Sequence, residues 1–284
     1  MPEWLAETLH PELCQRLRID RVLHRENTDL QEVLIFENEI LGRVLVLDGV
    51  VQTTEADEFI YHEMLTHVPI VTHGSARRVL VVGGGDGGMI EEALKHRRLE
   101  QVVMVEVDRS VVELCQKYLP TLSQGAFDDP RLQLVIADGA EYVSKTKQRF
   151  DIIIVDSPDP VGPGTSLFSD TFYHDCHRCL IPGGVLVTQN GVPFVQAEEL
   201  RKSASRLSNH FTDVAFFRAS VPTYYGGDMT FGWATDDATL RTISISQLRT
   251  RFSQENLDTR YYSPEIHVAA FAIPPWIKKI LKNK

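Results

Sequence analysis

RVLVVGGGDGGMIEEALKH, residues 78–96, is the stretch whose reading decides the fold. An unbroken apolar run leads straight into Gly83-Gly84-Gly85-Asp86-Gly87-Gly88, and the chain resumes from Met89 in a helical pattern. Glycines at such a junction let the backbone turn sharply and approach a ligand, with the first amides of the helix exposed beside it. A glycine-rich turn alone is a weak signal. Here a strand precedes it, a helix follows, and Glu106 closes the next apolar run, at about the 20-residue spacing where an acid can accept from both hydroxyls of a ribose.

The same alternation continues outward. Strands are expected at 78–82, 101–105, 132–136, 151–155 and 184–189, with helical stretches between them, and the runs near 213–217 and 229–234 extend the sheet. These strands are continuously apolar, as in a parallel sheet covered by helices on both faces. The fold class is α/β, a Rossmann-like doubly wound sheet. Before residue 56 the pattern changes. QEVLIFEN, Gly42 to Leu47 and Val50 to Thr54 are short β-branched runs broken at Asn38-Glu39 and Asp48-Gly49, and Asp-Gly between apolar runs predicts a type I′ hairpin. A small antiparallel β domain is therefore expected over 1–56 and a Rossmann-like catalytic domain over 57–284. Phe59, Ile60, Met64 and Leu65 share one helical face and predict a helix joining the two.

Composition narrows the function. The 284 residues are 43% hydrophobic, enough for a sizeable core, and 39 acidic against 29 basic residues leave a net charge of −10. That balance argues against a nucleic-acid-coating surface, which needs Lys and Arg for phosphates, and leaves room for a cationic partner. No apolar run reaches the roughly 18 residues of a membrane span, and no basic segment followed by an apolar run opens the chain, so a cytoplasmic protein is expected. Cys14, Cys115, Cys176 and Cys179 are too sparse for a disulfide framework. Cys176 and Cys179 are expected in the second half of a helix ending at Pro182-Gly183, away from the helix N-terminus that would activate a thiol, and read as packing residues. The histidines show no metal-ligand spacing, and no metal site is expected.

Three acids stand at successive strand ends: Asp86 in the glycine loop, Glu106, and Asp138 before Gly139. They suit an adenosine, because a pyrophosphate would be repelled by Asp86, and this points to the S-adenosylmethionine-dependent methyltransferase type of sheet. Asp138 can accept from the adenine amino group. Asp86 either favours an ammonium over a carboxylate at the far end of that ligand or caps the following helix. A second acid pair follows the fourth strand in Asp156-Ser157-Pro158-Asp159-Pro160, where the prolines exclude a regular helix and stiffen the loop towards the sheet edge.

GGGDGG, VVQTTEADEFIYHEMLTHVP, DSPDPVGPGTSLF and PTYYGG together resemble the polyamine aminopropyltransferases, the family of bacterial spermidine synthase. The likeness runs over almost the whole chain. It implies transfer of an aminopropyl group from decarboxylated S-adenosylmethionine, a co-substrate rather than a tightly bound cofactor, to putrescine. It further implies Asp156 as proton acceptor, with Asp156, Asp159, Tyr61 and Tyr224 contacting the diamine. Gln31, Gln52, His62, Gly83, Gly85, Asp86, Glu106, Asp138, Gly139 and Pro163 match donor-contacting positions. A homodimer or higher homo-oligomer is implied as well. The chain departs from the family pattern at Pro158, where a hydroxyl residue is usual, and at Ala56, where Arg is usual. It also departs at Asp228, an acid near the expected amine channel.

These residue types suit the reaction. An aliphatic amine must lose a proton before it can attack, and the sulfonium is already a good leaving group, so catalysis rests on positioning and proton removal. Three alternatives stay open: a different acceptor such as cadaverine, agmatine or spermidine; a methyltransferase using intact S-adenosylmethionine; and a non-catalytic polyamine-binding module.

Overall fold

A computed structural model describes residues 2–159 and 162–282. Six strands come first: β1 (Glu3–His10), β2 (Leu13–Ile19), β3 (Arg21–Asn27), β4 (Glu32–Asn38), β5 (Gly42–Leu47) and β6 (Val50–Thr54). β1 and β2 form a separate antiparallel hairpin, and β3 to β6 form a four-stranded antiparallel meander. The turn between β5 and β6 has positive φ at both Asp48 (49°) and Gly49 (78°), as a type I′ hairpin requires.

Helix α1 (Glu58–His73) leads into the larger sheet. Its strands are β7 (Arg78–Gly83), β8 (Gln101–Glu106), β9 (Leu132–Ile136), β10 (Phe150–Asp156), β11 (Leu180–Gln189), β12 (Asp213–Ser220) and β13 (Asp228–Thr235). Their order is β12-β13-β11-β10-β7-β8-β9, with β7 to β11 parallel and β12 and β13 an antiparallel extension. The connecting helices are α2 (Gly88–Leu94), α3 (Arg109–Tyr118), α4 (Pro120–Ser123), α5 (Gly139–Lys145), α6 (Asp170–Cys179) and α7 (Ala197–Leu207). The chain ends on α8 (Ile245–Glu255), α9 (Pro264–Ala270) and α10 (Pro275–Lys282).

The apolar strand runs have a simple cause. Successive residues point to opposite faces, and both faces are covered. Val79, Val81, Met104, Ile152 and Ile154 pack under α1 and α2, while Leu80, Val82, Val105, Ile153 and Val155 pack with Phe172, Tyr173 and Cys176 of α6. The amino-terminal meander docks through Val33, Ile35 and Leu45 onto Val111, Leu114 and Leu122 of α3 and α4. Its other face, with Phe36, Val44 and Val46, receives Leu5 and Leu17 of the β1-β2 hairpin.

Two expectations are corrected. Helix α6 ends at Cys179 rather than at Pro182-Gly183, which lie inside β11, because the chain turns directly from the cysteine into the strand. Cys176 and Cys179 are both buried in the core as expected of packing residues. Asp228 opens β13, where its carboxylate pairs with Arg218 and accepts from Ser220 Oγ (2.6 Å), so it adds no free acid to an amine channel. Among the described residues, no helix is long and apolar enough to cross a membrane.

Candidate active site

The carboxyl ends of β7, β8 and β10 converge, and each delivers an acid. The glycine loop after β7 lies directly on the end of β10. A Cβ on Gly83 (φ 89°) would sit 1.8 Å from the Asp156 carbonyl oxygen, so only glycine lets these two strands end side by side. Gly88, the first residue of α2, faces the imidazole of His62, and a Cβ there would fall 2.2 Å from Nδ1. Backbone contact on both sides thus brings Asp86 between α1 and the end of β10.

The resulting cluster is Tyr61, His62, Asp86 and Asp156. Tyr61 donates its hydroxyl to Asp156 Oδ1 at 2.8 Å. His62 stands between two carboxylates, with Nδ1 2.7 Å from Glu58 Oε2 and Nε2 3.4 Å from Asp86 Oδ2. Asp86 accepts from the Gly88 amide (2.9 Å) through its other oxygen, so it both steadies the start of α2 and faces the cluster. Burial penalises the charge on His62, but Asp86 and Glu58 outweigh it and hold the imidazole well above its ordinary pKa. Burial would likewise raise Asp86, yet His62, the Gly88 amide and Thr53 keep it below the usual carboxylate range. Asp156 goes the other way. Burial and the neighbouring charge of Asp86 push it up to about 6, against the opposing pull of His62 and the Tyr61 hydrogen bond. One donor atom each from His62, Asp86 and Asp156 lies within 4.8 Å of the others.

Beside it, Asp159 is held by Gln196 Nε2 (2.6 Å) and Gln189; burial raises its carboxyl despite these bonds. Tyr224 donates to the carbonyl of Gln52 at 2.6 Å and stacks edge-on against Tyr61, centroids 5.9 Å apart. Glu106 at the end of β8 accepts from the Asp108 amide (3.0 Å), and burial pushes it up to about 7 despite the Asp108 and Val107 amides.

Residues 58–243 match the spermine/spermidine synthase domain, and residues 3–55 match the spermidine synthase tetramerisation domain. The chain belongs to the spermine/spermidine synthase family. This synthase is 56% identical over 271 residues to polyamine aminopropyltransferase 1 of Pseudomonas aeruginosa, covering 95% of each chain. It is 53% identical over 277 residues to the polyamine aminopropyltransferase of Pectobacterium carotovorum, covering 98% of this chain and 96% of the relative. A crystal structure of a spermidine synthase in complex with the transition state analogue AdoDATO superposes with a TM-score of 0.93 at 39% identity, covering 99% of this chain and 96% of that one. The spermidine synthase of Thermotoga maritima gives 0.90 at 37% identity, covering 99% and 95%. The enzyme is a transferase, a polyamine aminopropyltransferase.

The synthase fold brings most of the sequence-expected residues together and sets others to the side. Gln31 donates to Asp108 Oδ2 (2.9 Å), two residues past Glu106. Gln52 turns its side-chain amide back to the Val50 carbonyl (3.1 Å) and meets the cluster only through its own carbonyl, under Tyr224. Asp138 is exposed and caps α5, accepting from the Glu141 amide at 2.8 Å, with Gly139 packed against Val82. Gly85 lies against Glu106, 3.1 Å from its Oε2 to an ideal Cβ. Ser157, an alternative partner for Asp156 alongside Tyr61, buries its Oγ without a hydrogen-bond partner among the described residues. Pro160 and Val161 lie outside the described residues, as does the side chain of Pro163.

Several neighbours of this synthase site were not read from the sequence. Glu58 is four residues before His62, a spacing that puts the two on one helical face. Glu7 on β1 is buried, bonded by Gln15 Nε2 (2.8 Å) and raised by burial, with the Asp159 charge contributing. Asp57 accepts from Thr54 Oγ1, Thr223 N and Thr223 Oγ1, each at 2.7 Å, and so ties the Tyr224 loop to the end of the amino-terminal sheet.

Proposed function

We propose that this aminopropyltransferase moves the aminopropyl group of decarboxylated S-adenosylmethionine to putrescine, giving spermidine and methylthioadenosine. The observation that carries the reading is Asp156, bonded by Tyr61 and pressed against the glycine loop, with Asp159 three residues on. In this reading Asp86 takes the ammonium of the donor and disfavours a carboxylate there. Glu106 accepts from the ribose hydroxyls, and Asp138, Gly139 and Pro163 border the base. Gly83 and Gly85 keep the loop low enough for the nucleoside to lie over it. Gln31 acts through Asp108, and Gln52 through Tyr224.

The diamine lies between the two acids of the β10 loop. Asp159, fixed by Gln196, holds the distal ammonium, and Tyr224 walls the methylene chain. The proximal amine gives its proton to Asp156, and its lone pair attacks the carbon bonded to the sulfonium. The carbon–sulfur pair passes to sulfur, and a neutral thioether leaves. A carboxylate with a pKa near the working pH suits this task, because it accepts the proton without holding it too firmly. The separation of the acids measures acceptor length, and Pro158 between them fixes that separation.

In the same reading the chain divides into a 1–56 β domain and a 57–284 catalytic domain, with α1, which carries Tyr61 and His62, opening the second. The tetramerisation-domain match supports a homo-oligomeric enzyme, and a cytoplasmic location belongs to the same reading. The test supplies decarboxylated and intact S-adenosylmethionine against putrescine, cadaverine, agmatine and spermidine, following methylthioadenosine, S-adenosylhomocysteine and the alkylated amines. Methylthioadenosine with spermidine from putrescine is expected. Methylated amine without methylthioadenosine would overturn the reaction, and a preference for another amine would overturn putrescine alone.

A further inference from the structure

The donor's seat is a chain of three charged groups, and its outer member has no part in the reading above. Glu58 sits in the first turn of α1 and reaches His62 Nδ1 at 2.7 Å, while His62 reaches Asp86 at 3.4 Å. Glu58 is half-buried and also forms part of the wall of an open cleft of about 590 Å³. In that cleft Lys95 is taken by Glu91 (3.0 Å) and Glu92 (2.8 Å), and Glu63 is taken by the amides of Arg260, Tyr261 and Tyr262. Glu58 therefore meets His62, and among the ion pairs of the described residues no lysine or arginine reaches its carboxylate. We propose that Glu58 is a positioning residue for donor binding, holding His62 against Asp86 and supplying the negative charge that keeps the seat anionic.

The charge count makes the case. An imidazolium beside Asp86 alone cancels it, and a neutralised Asp86 draws no ammonium. With Glu58 included, two carboxylates flank the imidazolium, one on each nitrogen, and these three groups carry a net −1, to which Asp156 adds its own charge above a pKa of about 6. Asp156, at the end of β10, and Glu92, on α2, are the further charges facing His62. Neither touches its Nδ1. The inference rests on the reading that Asp86 meets the donor's ammonium.

The test is the donor KM of wild type, Glu58→Gln and Glu58→Asp between pH 6.5 and 9, with the amine saturating. In Glu58→Gln the protonated imidazole cancels Asp86, and the KM ratio to wild type should be about tenfold or more at pH 6.5. As His62 loses its proton with rising pH, Asp86 recovers its charge and the ratio should fall to about threefold or less by pH 9. The value of kcat should stay within about threefold of wild type. Glu58→Asp keeps the charge and shortens the reach, so its ratio should stay low and flat with pH. A ratio near one throughout, a raised ratio that ignores pH, a loss carried by kcat, or an Asp variant that behaves like the Gln variant would each overturn the inference. A wild-type enzyme that consumes no decarboxylated donor would overturn the function itself, a result separable from all of these.

Discussion

Tyr61→Phe isolates the hydrogen bond that, on the proposed function, tunes Asp156 as the proton acceptor. The ring stays, still edge-on to Tyr224 and Phe231, and only the hydroxyl 2.8 Å from Asp156 Oδ1 is lost. That bond favours the ionised carboxylate, so its removal must raise a pKa already pushed up to about 6 by burial and by Asp86. A hydrogen bond to a charged acceptor contributes about 1.5–3 kcal/mol, and each pKa unit is about 1.4 kcal/mol, so the rise should be about one to two units. Asp156 must be ionised to take the proton, hence activity is lost as pH falls through its pKa. In wild type the acid limb of kcat/KM for putrescine should lie near pH 6. In the variant it should lie near about 7 to 8, with a loss of about tenfold or more at pH 6 that largely recovers by pH 9. Methylthioadenosine formation across that range measures it. A limb that stays near its wild-type position while the plateau drops uniformly would refute the tuning argument and leave Tyr61 as a contact only.

Other perturbations address other parts of the site. Asp86→Asn should narrow the preference for decarboxylated over intact S-adenosylmethionine by about 100-fold or somewhat more, since two carboxylates about 5 Å apart repel by about 3 kcal/mol at an effective dielectric of about 20; competition between the two donors reads it directly. Asp57→Ala removes the acceptor of three bonds at 2.7 Å and leaves the Thr223 amide buried without a partner. It should lower stability by about 2–4 kcal/mol, seen as a reduced urea midpoint. Gln196→Leu removes one of the two amides that hold Asp159, so the KM for putrescine should rise about three- to tenfold while the donor KM stays unchanged.

How far the sequence was legible depended on what each segment buries. The strands β7, β8 and β10 announce themselves because both faces lie under helices, and their expected and observed limits nearly coincide, whereas β11 begins four residues before its expected start. The strands β1 to β3 were not expected, and β1 shows the reason. Its inward residues are Leu5, Glu7 and Leu9, so the alternation that marks a strand is interrupted at its centre by an acid. β3 is largely exposed and reads RVLHREN, with only Leu23 packed against the core, too little to mark an alternation. The acids at the strand ends were legible because position in a βα unit determines where they point. Their partners were not. Gln189 and Gln196 reach Asp159 from β11 and the turn before α7, and Tyr61 reaches Asp156 from a helix 95 residues away, contacts set by packing rather than by spacing. For Tyr61 only likeness to a known family pointed there.

Burial is the main cause that raises Asp156, Glu106 and Glu7, and the net charge of −10 has a local counterpart that adds to it. Asp86 stays ionised because His62 and the Gly88 amide stabilise its charge, and that fixed charge helps push Asp156 up. Asp156 in turn helps raise Glu106, and Asp159 helps raise Glu7. Each acid therefore makes ionisation harder for the next, and in the absence of a cation the site carries mutual repulsion across elements that the core holds rigid. A ligand with ammonium groups at the two ends relieves that repulsion as it binds. The carboxylates regain charge as the amines arrive, so Asp156 becomes less basic with the diamine bound than without it. The acid limb of kcat should consequently lie below that of kcat/KM. A purely structural acid cluster, already satisfied by its own lysines and arginines, would show no such displacement; here, among the described residues, His62 is the cation beside Asp86 and Asp156, and on the proposed function the amines of the substrates supply the remaining positive charge.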